Sequence, residues 1–102
     1  MEASASVSVS VTRTLSIDFA HSSAIKGVWS DGRTVATTSH DQRLRVWAVA
    51  AEEGQALRVT PAAGSFVECP EPEGLAACRV GGAGGGLCLA VSGRGVQMFH
   101  CE

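Results

Sequence analysis

Four side chains carry groups that could form a continuous hydrogen-bonded chain if the fold brought them together: His21, Thr37, Asp41 and Trp47. Asp41 can accept a hydrogen bond from one ring nitrogen of His21, and the other ring nitrogen can meet the hydroxyl of Thr37. That hydroxyl can also accept from the indole N–H of Trp47, so every polar group would be satisfied inside a small sheet. A catalytic Thr-His-Asp arrangement is the competing interpretation. We favour the structural one, because a small sheet needs such a network to fix its geometry.

Four cysteines are candidates for metal ligands or disulfide partners: Cys69, Cys78, Cys88 and Cys101. None has the C-x-x-C spacing of a zinc site, and the one histidine at ligand spacing is His100, beside Cys101. We therefore expect no metal site. Cys78 and Cys88 lie inside strand-like segments, where cysteines of a reducing compartment act as small buried apolar residues.

A glycine-rich segment at residues 81–86 resembles loops that cradle phosphate groups. Such loops are followed by a helix that begins with Lys and Ser or Thr, whereas residues 87–91 are strand-like and contain no lysine. We interpret the segment as a spacer and expect neither a cofactor nor a small-molecule substrate.

Composition limits the class of protein. The 102 residues are 45% hydrophobic and 18% charged, which is typical of one small globular unit. A net charge of -2 with scattered arginines gives no basic face for direct nucleic-acid binding. Neither a membrane span nor a signal peptide is recognisable. We therefore expect a cytosolic or nuclear setting and predict a cytoplasmic protein.

The elements that must position these side chains are short antiparallel strands. Alternating apolar residues and turn signals such as Asp31-Gly32 predict an all-β fold. The predicted strands cover residues 7–11, 24–29, 34–39, 44–47, 57–60, 75–80, 87–92 and 96–99. Pro61 is expected to end one strand, because proline interrupts a hydrogen-bonded ladder, and residues 61–73 are expected to be a surface connection. The largest side chains should anchor the packing: Trp29, Trp47, Phe66 and Phe99.

The order of these residues resembles a WD repeat, the unit of a β-propeller. His21 precedes the first strand, Thr37 lies in the second, Asp41 in the next turn and Trp47 in the third. These are the positions of the buried hydrogen-bonded network of a WD repeat, so the resemblance implies that network here. Residues 89–91 and 96–99 repeat the pattern faintly. The resemblance implies a propeller fragment with one nearly complete blade and a partial terminal blade. Its divisions would be residues 1–19 as a tail and outer strand of a preceding blade, 20–60 as a WD repeat, 61–73 as a linker and 74–102 as a degenerate terminal repeat.

A closer resemblance is to the C-terminal end of the WD-repeat subunits that partner the tRNA wobble-nucleotide 2′-O-methyltransferase. It is carried by the sequences at residues 20–21, 25–26, 41–44, 46–47 and 89–99, while residues 48–73 depart from the pattern. It implies a non-catalytic regulatory subunit that binds a methyltransferase and meets tRNA through the complex. S-adenosylmethionine would be bound by the partner. Arg43, in the turn after Asp41, is the candidate partner-binding residue.

Two other classes remain open from the sequence. A generic WD-repeat module for protein binding in another pathway would share the same repeat positions. A small hydrolase using His21 or a cysteine is the enzymatic alternative, but no neighbouring residue orients such a nucleophile. We therefore expect a binding protein and not an enzyme.

Overall fold

The computed structural model describes residues 8–52, 54–81 and 85–102, and these form two antiparallel sheets. The protein is all-β: the described residues contain seven strands, and none of them lies in a helix that could cross a membrane. The strands are β1 (Ile25–Ser30), β2 (Thr34–Ser39), β3 (Arg43–Ala50), β4 (Arg58–Phe66), β5 (Gly74–Arg79), β6 (Leu87–Ser92) and β7 (Val96–Cys101). The first sheet has the order β1-β2-β3-β4 and the second the order β5-β6-β7.

Polar turns determine the register of the first sheet. Gly32 has a φ of 92°, which glycine adopts without steric cost. The carboxylate of Asp31 accepts hydrogen bonds from the backbone N–H groups of Arg33 (3.0 Å) and Thr34 (2.8 Å), and these bonds close the β1–β2 hairpin. At the β2–β3 turn Gln42 has a φ of 61°, a conformation that is uncommon for residues other than glycine.

The fourth strand corrects the prediction made at Pro61. Strand β4 continues through Pro61 to Phe66 and pairs with β3 along its whole length. Trp47 lies opposite Pro61 and Val46 lies opposite Ala63, so Ala62 is the extra residue of a bulge. Proline is tolerated here because, among the described strands, β4 has a hydrogen-bonded neighbour on one side only.

One hydrophobic core lies between the two sheets. Its centre is formed by Ala36, Leu89 and Val91, each with 0% exposure. Gly27 brings β1 close to β5: a Cβ built at this position would lie 2.9 Å from Cβ of Leu75. The remaining core residues are Leu44, Val46, Val67, Cys69 and Leu87, with Trp29, Leu75, Ala77, Phe99 and Cys101 packed against them.

The aromatic anchors behave differently from one another. Trp47 is buried as expected, and Trp29 and Phe99 are partly buried against the core. The prediction for Phe66 is wrong, because 64% of its surface is exposed near the end of the edge strand β4. No strand covers that side of β4 in the described part of the chain.

Two further predictions are corrected by the second sheet and the N-terminal segment. Cys78 is exposed and Cys88 is half-buried, because both point away from the face that carries Leu89 and Val91. The alternating N-terminal segment forms no strand between residues 8 and 17, since no neighbouring strand is hydrogen-bonded to it. Val7 lies outside the described residues.

Candidate functional site

The structure brings His21, Asp41, Thr37 and Trp47 into one hydrogen-bonded chain. Nδ1 of His21 lies 2.9 Å from Oδ2 of Asp41 and 3.1 Å from its Oδ1. Nε2 of His21 lies 2.8 Å from Oγ1 of Thr37, and the indole N–H of Trp47 donates to the same hydroxyl at 3.2 Å. All the hydrogen bonds that the sequence suggested for these four side chains are therefore present.

The direction of the protons follows from the chemistry of each group. An ionised carboxylate only accepts, so Nδ1–H of His21 donates to Asp41. Nε2 pairs with the hydroxyl of Thr37, whose oxygen accepts from the indole N–H of Trp47. The side chain of His21 is 0% exposed, and both of its ring nitrogens are occupied. The arrangement ties a loop to two adjacent strands of the first sheet.

Asp41 is the junction of this network. Its carboxylate also accepts from the backbone N–H groups of Ser22 (3.0 Å) and Arg43 (3.0 Å). Partial burial raises the pKa of Asp41, but hydrogen bonds from Ser22, Ser39 and His21 outweigh that effect, so its pKa lies below the usual 3.8. One carboxylate thus holds both the β2–β3 turn and the loop that precedes β1.

Arg45 fastens the same loop from the other side. Its guanidinium donates to the backbone carbonyl of Ala20 at 3.0 Å, and it lies 4.5 Å from the centroid of the Trp47 ring. This cation–π contact covers the ring that the hydrogen-bonded network positions. Arg45 and Trp47 are two residues apart on β3, so alternation alone indicates that they share a face. The hydrogen bond from Arg45 to Ala20, 25 positions earlier, could not be predicted from any local sequence pattern.

An open pocket of about 750 Å³ adjoins the network. The loop at residues 19–22 forms one wall, and residues 61–65 of β4 form the other. Phe19 stands at this wall with 95% exposure and a φ of 57°. The pocket also borders Asp41, Arg43 and Arg45, so it combines charged side chains with the small residues of an edge strand.

Arg43 lies at this pocket, and its role in binding a partner remains a prediction. The residue is exposed, and its guanidinium stacks 4.3 Å from the centroid of the Phe66 ring, directly across from it on β4. No carboxylate of the described residues forms an ion pair with Arg43. The pair of Arg43 and Phe66 therefore presents a positive charge held on an exposed aromatic ring.

A second polar cluster, which the sequence did not reveal, links the two sheets. Arg79 of β5 donates to the carboxylate of Asp31 at 3.0 Å and to the hydroxyl of Thr34 at 2.5 Å. Hydrogen bonds from the backbone of Arg33 and then Thr34, together with the charge of Arg79, lower the pKa of Asp31 from 3.8 to about 2. Burial acts in the opposite direction and does not outweigh them.

Metal ligands are not gathered at either cluster. Among residues 8–52, 54–81 and 85–102, no three His, Cys, Asp or Glu side chains are placed to hold an ion.

Comparisons with family models, with curated proteins and with solved structures gave no match to the chain.

Proposed function

We propose that the chain is a segment of a WD-repeat β-propeller and that it acts by binding other macromolecules without catalysing a reaction. The observation that carries this proposal is the buried chain from Asp41 through His21 and Thr37 to Trp47. The four side chains are hydrogen-bonded to one another, as expected of a network that stabilises a sheet. Because both ring nitrogens of His21 are paired within the network, a structural role for these residues is favoured over a catalytic one.

The packing of the two sheets supports the same proposal. Each sheet is an antiparallel meander, and their closest approach joins the first strand of one, β1, to the first strand of the other, β5. Neighbouring blades of a propeller stack face to face in this manner. The outward faces of both sheets carry exposed apolar side chains, among them Val28 and Met98. Such faces favour a role in assembly.

The specific partner that we propose is the tRNA wobble-nucleotide 2′-O-methyltransferase. Support comes from the resemblance carried by residues 20–21, 25–26, 41–44, 46–47 and 89–99. In this proposal the chain belongs to a cytoplasmic regulatory subunit, the methyltransferase binds S-adenosylmethionine, and tRNA is met through the complex. Arg43 on Phe66 is the contact that we assign to the partner.

The test is affinity purification of the tagged chain from cells, with measurement of 2′-O-methylation at the wobble nucleotide. Co-purification of a tRNA methyltransferase, weakened by Arg43→Glu, is the expected result. Arg58→Glu is the matched control, because Arg58 is also an exposed arginine of the first sheet but lies outside the pocket. Absence of any methyltransferase, together with unchanged methylation after depletion of the protein, would refute this partner.

A generic WD-repeat interaction module is the second candidate. The hydrogen-bonded network supports it equally, because the network stabilises a blade whatever the blade binds. Purification would then recover a different set of proteins, still sensitive to Arg43→Glu, and wobble methylation would not respond to depletion.

A further inference from the structure

Two cysteines lie directly opposite each other on adjacent strands of the second sheet. Cys78 of β5 is the register partner of Cys88 of β6, and both are free thiols. Opposed residues of an antiparallel pair project from the same face of the sheet. The two thiols are therefore neighbours on the outward face, away from the core formed by Leu89 and Val91.

The register places these two residues at a separation that a disulfide can bridge. The backbone N–H of Val80 donates to the carbonyl of Gly86 at 3.0 Å, which marks this facing pair as hydrogen-bonded. Hydrogen-bonded pairs recur at every second residue, so Cys78 and Cys88 form the next one. Their Cα atoms are then about 5.5 Å apart, within the range of roughly 4.4 to 6.8 Å that disulfides span.

The other two cysteines have different surroundings. Cys69 is 8% exposed, and its thiol donates to the carbonyl of Gly95 at 3.1 Å. Cys101 is paired with Leu87 and packs against the core. Cys78, in contrast, is exposed, and Cys88 is half-buried beside it. A dissolved oxidant thus reaches Cys78 first and finds Cys88 as its nearest thiol.

We propose that Cys78 and Cys88 form a reversible redox site that reacts with low-molecular-weight disulfides. The thiolate of Cys78 attacks one sulfur of the small disulfide, whose S–S bond breaks and releases one small thiol. The thiolate of Cys88 then attacks the mixed disulfide at Cys78 and releases the second small thiol. The two protein thiols lose two electrons and two protons, and the small disulfide gains both to become two thiols.

The test uses the full chain, oxidised with glutathione disulfide and analysed by intact mass and peptide mapping. The chain has four thiols, and we expect two to be lost with a mass decrease of two hydrogens and no glutathione adduct. The mapped link should join Cys78 to Cys88, and dithiothreitol should restore all four thiols. Cys88→Ser should trap one glutathione on Cys78, because the resolving thiol is absent.

Two controls keep the proposal open to refutation. A chain with both Cys69→Ser and Cys101→Ser should oxidise as the original chain does. The original chain oxidised in concentrated urea should give a mixture of links, because the register is lost. The proposal is overturned if the native chain gives that same mixture, forms disulfides between chains, or keeps a glutathione adduct on Cys78.

Discussion

Removal of the hydroxyl of Thr37 should expose the contribution of the buried network. Thr37→Val keeps the shape of the side chain but deletes the oxygen that meets both His21 (2.8 Å) and Trp47 (3.2 Å). A buried polar group that loses its partner costs about 1 to 3 kcal/mol. Here the ring nitrogen of His21 and the indole N–H of Trp47 each lose their partner. The extra methyl group offsets about 1 kcal/mol. We therefore expect the free energy of unfolding to fall by about 3 kcal/mol.

The measurement is urea unfolding followed by tryptophan fluorescence, at one chain concentration for all variants, since association changes apparent stability. Two controls grade the effect. Thr38→Val removes one hydrogen bond, from the buried hydroxyl of Thr38 to the carbonyl of Arg43, and should cost about 1 kcal/mol. Thr60→Val, at an exposed position of β4, should change stability by less than about 0.5 kcal/mol. A loss for Thr37→Val no larger than that for Thr60→Val would refute the reasoning.

Four further outcomes are expected. Trp47→Ala should cost about 3 to 5 kcal/mol, because it empties a buried site; a urea-unfolding loss under about 1 kcal/mol would contradict its burial. Asp41→Ala should destabilise more than Arg43→Ala, because the first change leaves the buried Nδ1 of His21 without its carboxylate partner and the second trims an exposed side chain; equal urea midpoints would contradict this. Asp31 has a lowered pKa, so its stabilising contribution is complete above pH 3.8 and is lost as the pH falls toward about 2. Carboxyl NMR titration should give that midpoint, and Arg79→Ala should raise it only in part, because two backbone donors remain; full return to 3.8 would contradict this. The 102-residue chain should self-associate, and a compact monomer at all concentrations by light scattering would contradict this.

The strands were accessible from local sequence signals, and the network from the resemblance to a known repeat. Asp31 and Gly32 mark the first hairpin. Alternation identifies β3, where Leu44 and Val46 face the core and the arginines that alternate with them do not. The buried chain joins residues 10 to 20 positions apart, and it was anticipated because these four positions resemble those of a WD repeat. The chemistry of the four side chains is compatible with the pairing, but no local pattern specifies it.

The failures concern contacts that depend on which strands are adjacent. Pro61 was expected to end a strand, yet a bulge on an edge strand accommodates it. Phe66 was expected in the core but stacks on Arg43 at the surface, and Cys78 was expected to be buried but lies on the outward face of β5. Alternation identifies two faces of a strand but does not state which one meets another sheet. The ion pair of Asp31 and Arg79 joins positions 48 residues apart, so no local pattern could predict it.

The shape of the molecule bears on why a binding role is the better proposal. The radius of gyration is 16.2 Å, whereas a compact domain of about 100 residues has a value near 13 Å. The exposed segment at residues 8–17, which belongs to neither sheet, contributes to this excess. The core itself is a single layer shared by two sheets, each of which covers only one face of the other. Val28 (64% exposed) and Met98 (61% exposed) lie on the two outward faces and gain nothing from that core. Covering an exposed apolar face stabilises a complex by about 25 cal/mol for each Å² removed from water, so these faces favour association. The buried network contributes to binding only indirectly, because it holds the first sheet in a fixed shape.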